Sequence, residues 1–513
     1  MPSTITRNLR IHNAKQFKEA FSEANDTKMY VFIGKSAEWA NASNPPTPAD
    51  DVQTTEFDIY RTMIAAKKVS QSDVSFVVPR INWANNTTYA EFQNKHTGLY
   101  SNNFYVMTED FNVYKVIYNN NDSKSVNKPT STNTSGTFKT GEGYIWKYMY
   151  TVTAGDRLKF INNNFIPVQE ITANNGSAQY TVQQQVANGT IGSIDVVTRG
   201  SGYKNNESTF FSVTNSSVLV ANTSANSTSG IYVGSSIFLK SGLGAGQLRQ
   251  ITGYNGTSRT LICNTGFSIT PNTSTTYLIS PTVTITGDGT GAQAYTEVNS
   301  SGNTANVTIV SGGINYSKAT VAITANSSHG SGATAEAYVP PRDGHGASAL
   351  YELGGHNVMI NTRLSPSDVA GLSNADFRII GLLQDPVLAN TGVIANTSTL
   401  NMTTRINVTA VSGSFTEDER VSGGTSSASG RIILFANSNS TSTTGTLFLN
   451  EIEGSFANLE TLTANQSSVT CQTAGIFRPE IRDFSGKVLY KENVTKIQRA
   501  VDQTEDIKLT VRF

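Results

Sequence analysis

Apolar residues recur at intervals of three and four near the start of the chain. Ile11, Ala14, Phe17, Phe21 and Ala24 share one face of a helix expected over Asn8 to Ala24. Met29 to Ile33 is an unbroken apolar run of strand length. After prolines at 45, 46 and 48, Phe57, Tyr60, Met63 and Ile64 predict a second helix. It begins near Asp50 and Asp51, whose carboxylates suit a helix N-terminus. Val74 to Val78 and Phe104 to Tyr118 read as strands, and the polar stretch 119–137 reads as a surface loop.

From about Ala173 the pattern changes to short β-runs punctuated by glycine, and a repeat emerges. Ile194 to Tyr203 matches Val307 to Tyr316, each a strand followed by a glycine turn and a tyrosine. The second copy continues directly into Thr320 to Ile323 and Gly330 to Ala335. The first resumes only at Thr282 to Ile285 and Gly289 to Ala292, so it is interrupted by Val213 to Ser280. Inside the interruption Ile231 to Val233, Ser236 to Leu239, Leu248 to Ile251 and Thr260 to Ile262 predict strands. A second tandem unit follows, in which Gly413 to Glu419 resembles Gly454 to Glu460.

These patterns predict a mainly β, multidomain protein with a few helices: a discontinuous α+β frame into which β-sandwich or barrel-like modules are inserted. The frame spans 1–172, 340–402 and 476–513. The duplicated Gly-Tyr module spans 173–212 and 281–339, and the inserted modules span 213–280 and 403–475. A chain of 513 residues exceeds what one core usually organises, in keeping with several modules.

Charge narrows the function classes. Charged residues are 15% of the chain against about 25% in an average globular protein, and 38 Lys and Arg offset 38 Asp and Glu. No basic field is available to hold a nucleic-acid backbone, so no nucleic-acid partner is expected. No apolar run reaches the length that spans a bilayer, and the start lacks a secretory h-region, so a soluble chain made in the cytoplasm and free of membrane is expected. The 46 aromatic residues argue against disorder. Cys263 and Cys471 fit no metal or redox spacing and are expected as lone buried thiols.

Enzymatic patterns are thin. Asp343-Gly344-His345-Gly346 with His356 offers metal-ligand types but not their spacing, and a structural turn is expected, with no metal. The glycine-rich stretches 242–246 and 287–291 lack the Gly-Lys-Ser/Thr ending of a phosphate loop and lead into β-like sequence, so both are read as turns. Asp195, Glu207, Asp288 and Glu297 are scattered, without the paired carboxylates a glycanase needs. No catalytic residue and no cofactor are expected.

All three tryptophans stand outside the inserted modules, in Phe32 to Trp39, Val77 to Trp83 (with Arg80) and Gly141 to Tyr148 (with Tyr144 and Trp146). Such residues serve as core or as interface anchors. Together with Asn374 to Pro386 (Phe377, Arg378), Gly486 to Asn493 (Tyr490) and Val501 to Leu509 (Asp502, Gln503), these motifs resemble the baseplate wedge subunit of T-even-like contractile-tailed phages, the gene-product-eight family. The resemblance covers Asn8 to about Val168, Pro340 to Pro386 and Phe477 to Phe513. It implies a non-enzymatic virion protein of the tail baseplate, a homodimer bound to other wedge subunits and assembled in the host bacterial cytoplasm. The β-modules lie outside the resemblance and leave open a receptor-binding tail adhesin or tailspike-like glycan-binding protein.

Overall fold

Runs rich in Val, Ile, Thr and Tyr, broken every few residues by Gly, Asn or Asp, form strands along most of the chain: 42% of the structure is strand and 10% helix. The computed structural model describes residues 3–22, 27–49, 53–326, 329–369, 371–438 and 443–513. The fold class matches expectation, with several sheets and two closed six-stranded barrels. No helix among the described residues is long and apolar enough to cross a membrane. The chain divides into two compact units, one of Met1–Val77, Leu158–Ile161 and His356–Phe513, the other of Val78–Arg157 and Asn162–Gly355. The expected frame is therefore shared out, since 78–157, 162–172 and 340–355 belong to the second unit.

The first unit is organised on a five-stranded antiparallel sheet gathered from remote segments, in the order Thr399–Asn401, Met63–Lys68, Met29–Gly34, Phe377–Gln384, Lys487–Ile497. Tyr30, Phe32, Met63, Ile379 and Leu383 fill its core. The first helix, Arg7–Glu19, is capped by the Thr6 hydroxyl and buries Ile11 and Ala14. The second helix is Gln53–Thr62, shorter than its periodicity predicts. Met63 and Ile64 leave it for the sheet, where Met63 lies opposite Gly34, because pairing with a buried strand outweighs helical periodicity. Ala24, Asp50 and Asp51 lie outside the described residues. Separately, Asn357–Leu364 runs antiparallel between Val74–Pro79 and Glu505–Arg512.

The same unit carries the barrel formed by Thr404–Thr409, Arg420–Gly423, Ser429–Asn437, Gly445–Glu453, Thr461–Ala464 and Thr470–Phe477. Its ring order is first, fourth, third, second, fifth, sixth. The tandem motif explains this interleaving. Glu419, at the end of the first copy, accepts the Gln466 and Ser467 N–H groups of the second half at 3.1 and 2.9 Å. Glu460 accepts the Thr425 and Ser426 N–H groups of the first half at 3.1 and 2.9 Å. Each half thus caps a turn of the other, and both glutamates are buried.

In the second unit the stretch expected as one strand over Phe104 to Tyr118 is a hairpin of Tyr105–Met107 and Asn112–Tyr118. Phe111 at φ 62 turns the chain between them. These strands join Ile145–Thr151 and Phe138–Lys139 in a four-stranded sheet. The repeat module is a six-stranded sheet in the order Thr304–Ile314, Thr290–Val298, Thr282–Gly287, Ala319–Thr324, Ser331–Tyr338, Ser193–Ser201. The two copies exchange partners: the first strand of each pairs with the third strand of the other. Tyr203 lies on Gly330 of the second copy and Tyr316 on Gly289 of the first, where a Cβ would stand 2.5 Å from tyrosine atoms in both cases. Both tyrosines are buried in the shared core.

The other barrel comprises Asn206–Val213, Val218–Ala221, Ser236–Ser241, Leu248–Asn255, Thr260–Cys263 and Thr276–Ser280, in the ring order first, second, fifth, fourth, third, sixth. Renumbering its strands by one step reproduces the pairings of the first unit's barrel, so the two rings are circular permutations of one another. The barrel begins earlier than the interrupted repeat predicts, at Asn206 instead of Val213. Asn206 lies opposite Ile279 and Thr209 opposite Thr276, so entry and exit are neighbours. Ile231 to Val233, expected as a strand, is a turn between Gly230 and Gly234, both with positive φ. Ile231 and Tyr232 nevertheless fill the barrel core, and that burial accounts for their apolar character.

Candidate functional site

The densest polar chemistry in the first unit lies where the strand Met29–Gly34 ends. Lys35, 1% exposed, follows that strand, and its ammonium contacts Asp376, Asp418 at 2.9 Å and Glu417 at 3.9 Å. Arg378, 2% exposed, donates to Asp418 at 2.7 Å and to the Ser36 carbonyl at 2.9 Å, and its guanidinium lies 3.3 Å from Asp376. Lys496 pairs with Glu417 at the rim. The Asn450 amide donates to the Lys35 and Thr62 carbonyls at 2.7 and 3.1 Å. Sheet and barrel are thereby joined by alternating buried charges. Removing one member of such a set leaves another uncompensated. Burial pushes the Asp418 carboxyl up, but Arg378 and Lys35 outweigh it and hold the group below its ordinary range.

Asp376, Glu417 and Asp418 bring carboxylate oxygens within 4.8 Å of one another, a spacing that suits a metal ion. The Lys35 ammonium already reaches all three, so the charge a cation would supply comes from the chain itself.

The residues singled out in the sequence divide by burial. Tyr144, Trp146 and Tyr148 are core of the four-stranded sheet, with Tyr144 stacked on Trp146 at 5.3 Å, and Phe377 and Arg378 are equally buried in the first unit. Trp39, half-buried, donates its indole N–H to the Val494 carbonyl at 2.9 Å. Trp83 donates to Ser125 at 3.0 Å, and Arg80 to Asn82 and the Asn162 carbonyl at 2.9 and 3.0 Å. Tyr490 donates to Glu492 at 3.0 Å. Asp502 is exposed, and Gln503 accepts the Ala500 N–H at 3.1 Å in a turn. The structure brings Arg378 onto the same carboxylates as Lys35, but it does not gather the eleven into one site.

In the second unit Lys115 and Glu352 form a buried pair at 2.6 Å, with the Lys115 ammonium 4.1 Å from the Phe92 ring centre. Glu352 also accepts the Gly346 N–H at 2.7 Å, which gives the turn 343–346 its shape. His345 packs edge-on against Phe92, and burial together with Lys115 and Lys147 pushes its imidazole pKa well down. Cationic neighbours make this a poor seat for a metal. His356 belongs to the other unit. A cleft of about 300 Å³ is lined by Tyr150, Asp156, Arg157, Gln169, Ser177 and Gln179. Its polar groups are engaged internally: Gln169 donates to Asp156 at 2.5 Å, and Arg157 stacks on Phe111 at 4.1 Å.

Glu91 and Asp195, distant in sequence, share the Gln93 amide, which donates to them at 3.2 and 3.3 Å. No sequence spacing announces that pair. The glycine stretches 242–246 and 287–291 are turns between strands, with Gly242, Gly244, Gly246 and Gly291 at positive φ. Cys263 and Cys471 are free thiols buried in the two barrel cores. No protein-family model matches the chain, and no curated protein matches it either.

Proposed function

We propose that this chain is a structural subunit of a contractile phage tail, a baseplate wedge protein that holds neighbouring wedge subunits through protein contacts and catalyses nothing. One observation carries the reading. Three motifs behind the resemblance, taken from the beginning, middle and end of the chain, lie on the adjacent strands Met29–Gly34, Phe377–Gln384 and Lys487–Ile497 of a single sheet. A sheet built that way tolerates modules looped out between its strands, which is how a shared frame would carry the added β-modules. The half-buried Trp39, Arg80, Trp83, Tyr490 and Gln503 and the exposed Asp502 are the motif residues left to contact partners.

Light scattering on the purified chain tests the reading. A dimer that captures other wedge subunits of the same virion supports it. A trimer redirects it to a receptor-binding adhesin, and a monomer that captures no wedge subunit overturns it.

A further inference from the structure

We propose that Lys115 and Glu352 condense into an intrachain amide, a side-chain crosslink that the fold itself closes with loss of one water. Lys115 stands on the strand Asn112–Tyr118, and Glu352 ends the short helix Ala349–Glu352, 237 residues further on. Their side chains are 0% and 3% exposed, and the Lys115 Nζ lies 2.6 Å from the Glu352 Oε2. The Phe92 ring covers one side of the pair, its centre 4.1 Å from Nζ. Groups so enclosed have given up their hydration. Proton transfer from Nζ to Oε2 then replaces two buried charges with a neutral amine beside a neutral acid.

Two features exceed what an ion pair needs. The other carboxyl oxygen, Oε1, accepts two backbone N–H groups, from Gly346 at 2.7 Å and from Ser348 at 3.2 Å. Fixed donors converging on one oxygen are how acyl-transfer sites hold the negative charge of a tetrahedral intermediate. A second lysine supplies the other feature. Lys147 lies directly opposite Lys115 in the antiparallel ladder, 2% exposed, and donates to the Thr134 carbonyl at 3.0 Å. Its stem runs against the cradle, since a Cβ on Gly346 would stand 3.0 Å from the Lys147 Cε. Like charges placed opposite repel, and a neighbouring cation in a dry site keeps a lysine amine unprotonated and nucleophilic. Burial lowers the Lys147 pKa against the opposing Glu352 carboxylate, and Lys115 lowers it further.

The condensation needs no co-reactant. The Lys115 amine attacks the Glu352 Cδ, and the charge that develops on Oε1 meets the Gly346 and Ser348 N–H groups. The Nζ–Cδ bond forms, the Cδ–Oε2 bond breaks, and Oε2 leaves as water with the second proton shed by nitrogen. Oε1 remains as the amide carbonyl oxygen. Holding amine and acid in contact replaces an encounter in solution by an effective concentration of about 10⁵ M or more. The finished amide would tie the four-stranded sheet to the turn 343–346 and its helix, independently of the repeat module and barrel that lie between them in sequence.

Mass spectrometry of the full chain, denatured after purification, tests the crosslink. The intact chain is expected to be lighter than its sequence by the mass of one water. A tryptic digest should yield one branched peptide that carries both Lys115 and Glu352, with no cleavage after Lys115. Lys115→Arg keeps the positive charge but offers no nucleophilic amine, and is expected to restore the full mass. Should that variant fold poorly, the digest of the native chain decides alone. A full intact mass, or Lys115 and Glu352 recovered in separate unmodified peptides, overturns the proposal.

Discussion

Asp418 and Leu459 occupy equivalent positions in the two halves of one barrel and share the same left-handed backbone, at φ 60 and 59. Asp418 enters the buried charge network with Lys35 and Arg378, whereas Leu459 is 75% exposed. The internal symmetry of the barrel is therefore broken at the residue that fastens it to the sheet. Left-handed backbone is uncommon for residues other than glycine, asparagine and aspartate, so Leu459 keeps a conformation whose use is evident only in its twin.

Disruption of the network should accordingly be costly on one side of the barrel only. Asp376→Asn leaves the buried Lys35 and Arg378 with only the partly buried Asp418 between them and is expected to cost about 3–5 kcal/mol. Leu459→Asp, a surface change, should stay within about 0.5 kcal/mol. Urea midpoints of the two variants measure the difference, and equal midpoints would refute the asymmetry.

Acid should loosen the same barrel by another route. Burial pushes the Glu419 and Glu460 carboxyls up, but the backbone N–H groups and serine hydroxyls they accept outweigh it and hold both below the ordinary range. Depressed carboxyls contribute stability at neutral pH that is lost as pH falls through their folded pKa values. Protection of 404–477 should decline below about pH 4.5. The double variant Glu419→Gln, Glu460→Gln should show a weaker acid slope from a lower starting stability.

Neither cysteine should react in the native protein. Burial pushes both thiols up to about 11, and each sits in a barrel core. The thiolate is the reactive form, so labelling by an aromatic disulfide at neutral pH should await unfolding. Prompt modification of either thiol would show that its barrel opens readily.

Excision of the second unit's barrel should succeed only at its true ends. Removal of 206–280, with Asn205 joined to Pro281 by a short Gly-Ser bridge, closes a gap between neighbouring strands and costs little loop entropy. Removal from Val213 leaves most of the strand Asn206–Val213 without Thr276–Ser280, its partner. The first deletion should keep a cooperative melt and the second should broaden it. Loss of the transition in both would show that the module depends on the barrel.

Much of this architecture was legible in the chain. The tyrosine repeat announced a duplicated module, and Gly413 to Glu419 with its echo at Gly454 announced a tandem β-unit, because turn geometry demands the same residues each time; the exchange of strands and the closure into a ring came only with the structure. Boundaries were less legible. Asn206–Val213 is polar at its start and follows the Tyr203 turn without a break, so no composition shift separates module from barrel. Met63 and Ile64 satisfied a helical period while their strand partners lay elsewhere in the sequence. The buried charges were the least visible, since Lys35 meets Asp418, and Glu91 shares the Gln93 amide with Asp195, only after remote segments have paired.

The exchange of strands within the repeat module also constrains how the chain emerges from the ribosome. Ser193–Ser201 is synthesised early, yet its hydrogen-bonding partner, Ser331–Tyr338, leaves the exit tunnel only after the intervening barrel and the rest of the repeat. The barrel of 206–280 is closed on itself and can fold during that delay, whereas the early strand remains an open edge. Such an edge is exposed to pairing with the wrong chain. Its Thr198, Arg199 and Gly200, polar or conformationally costly in a strand, then read as protection for a waiting nascent chain as much as features of the finished sheet.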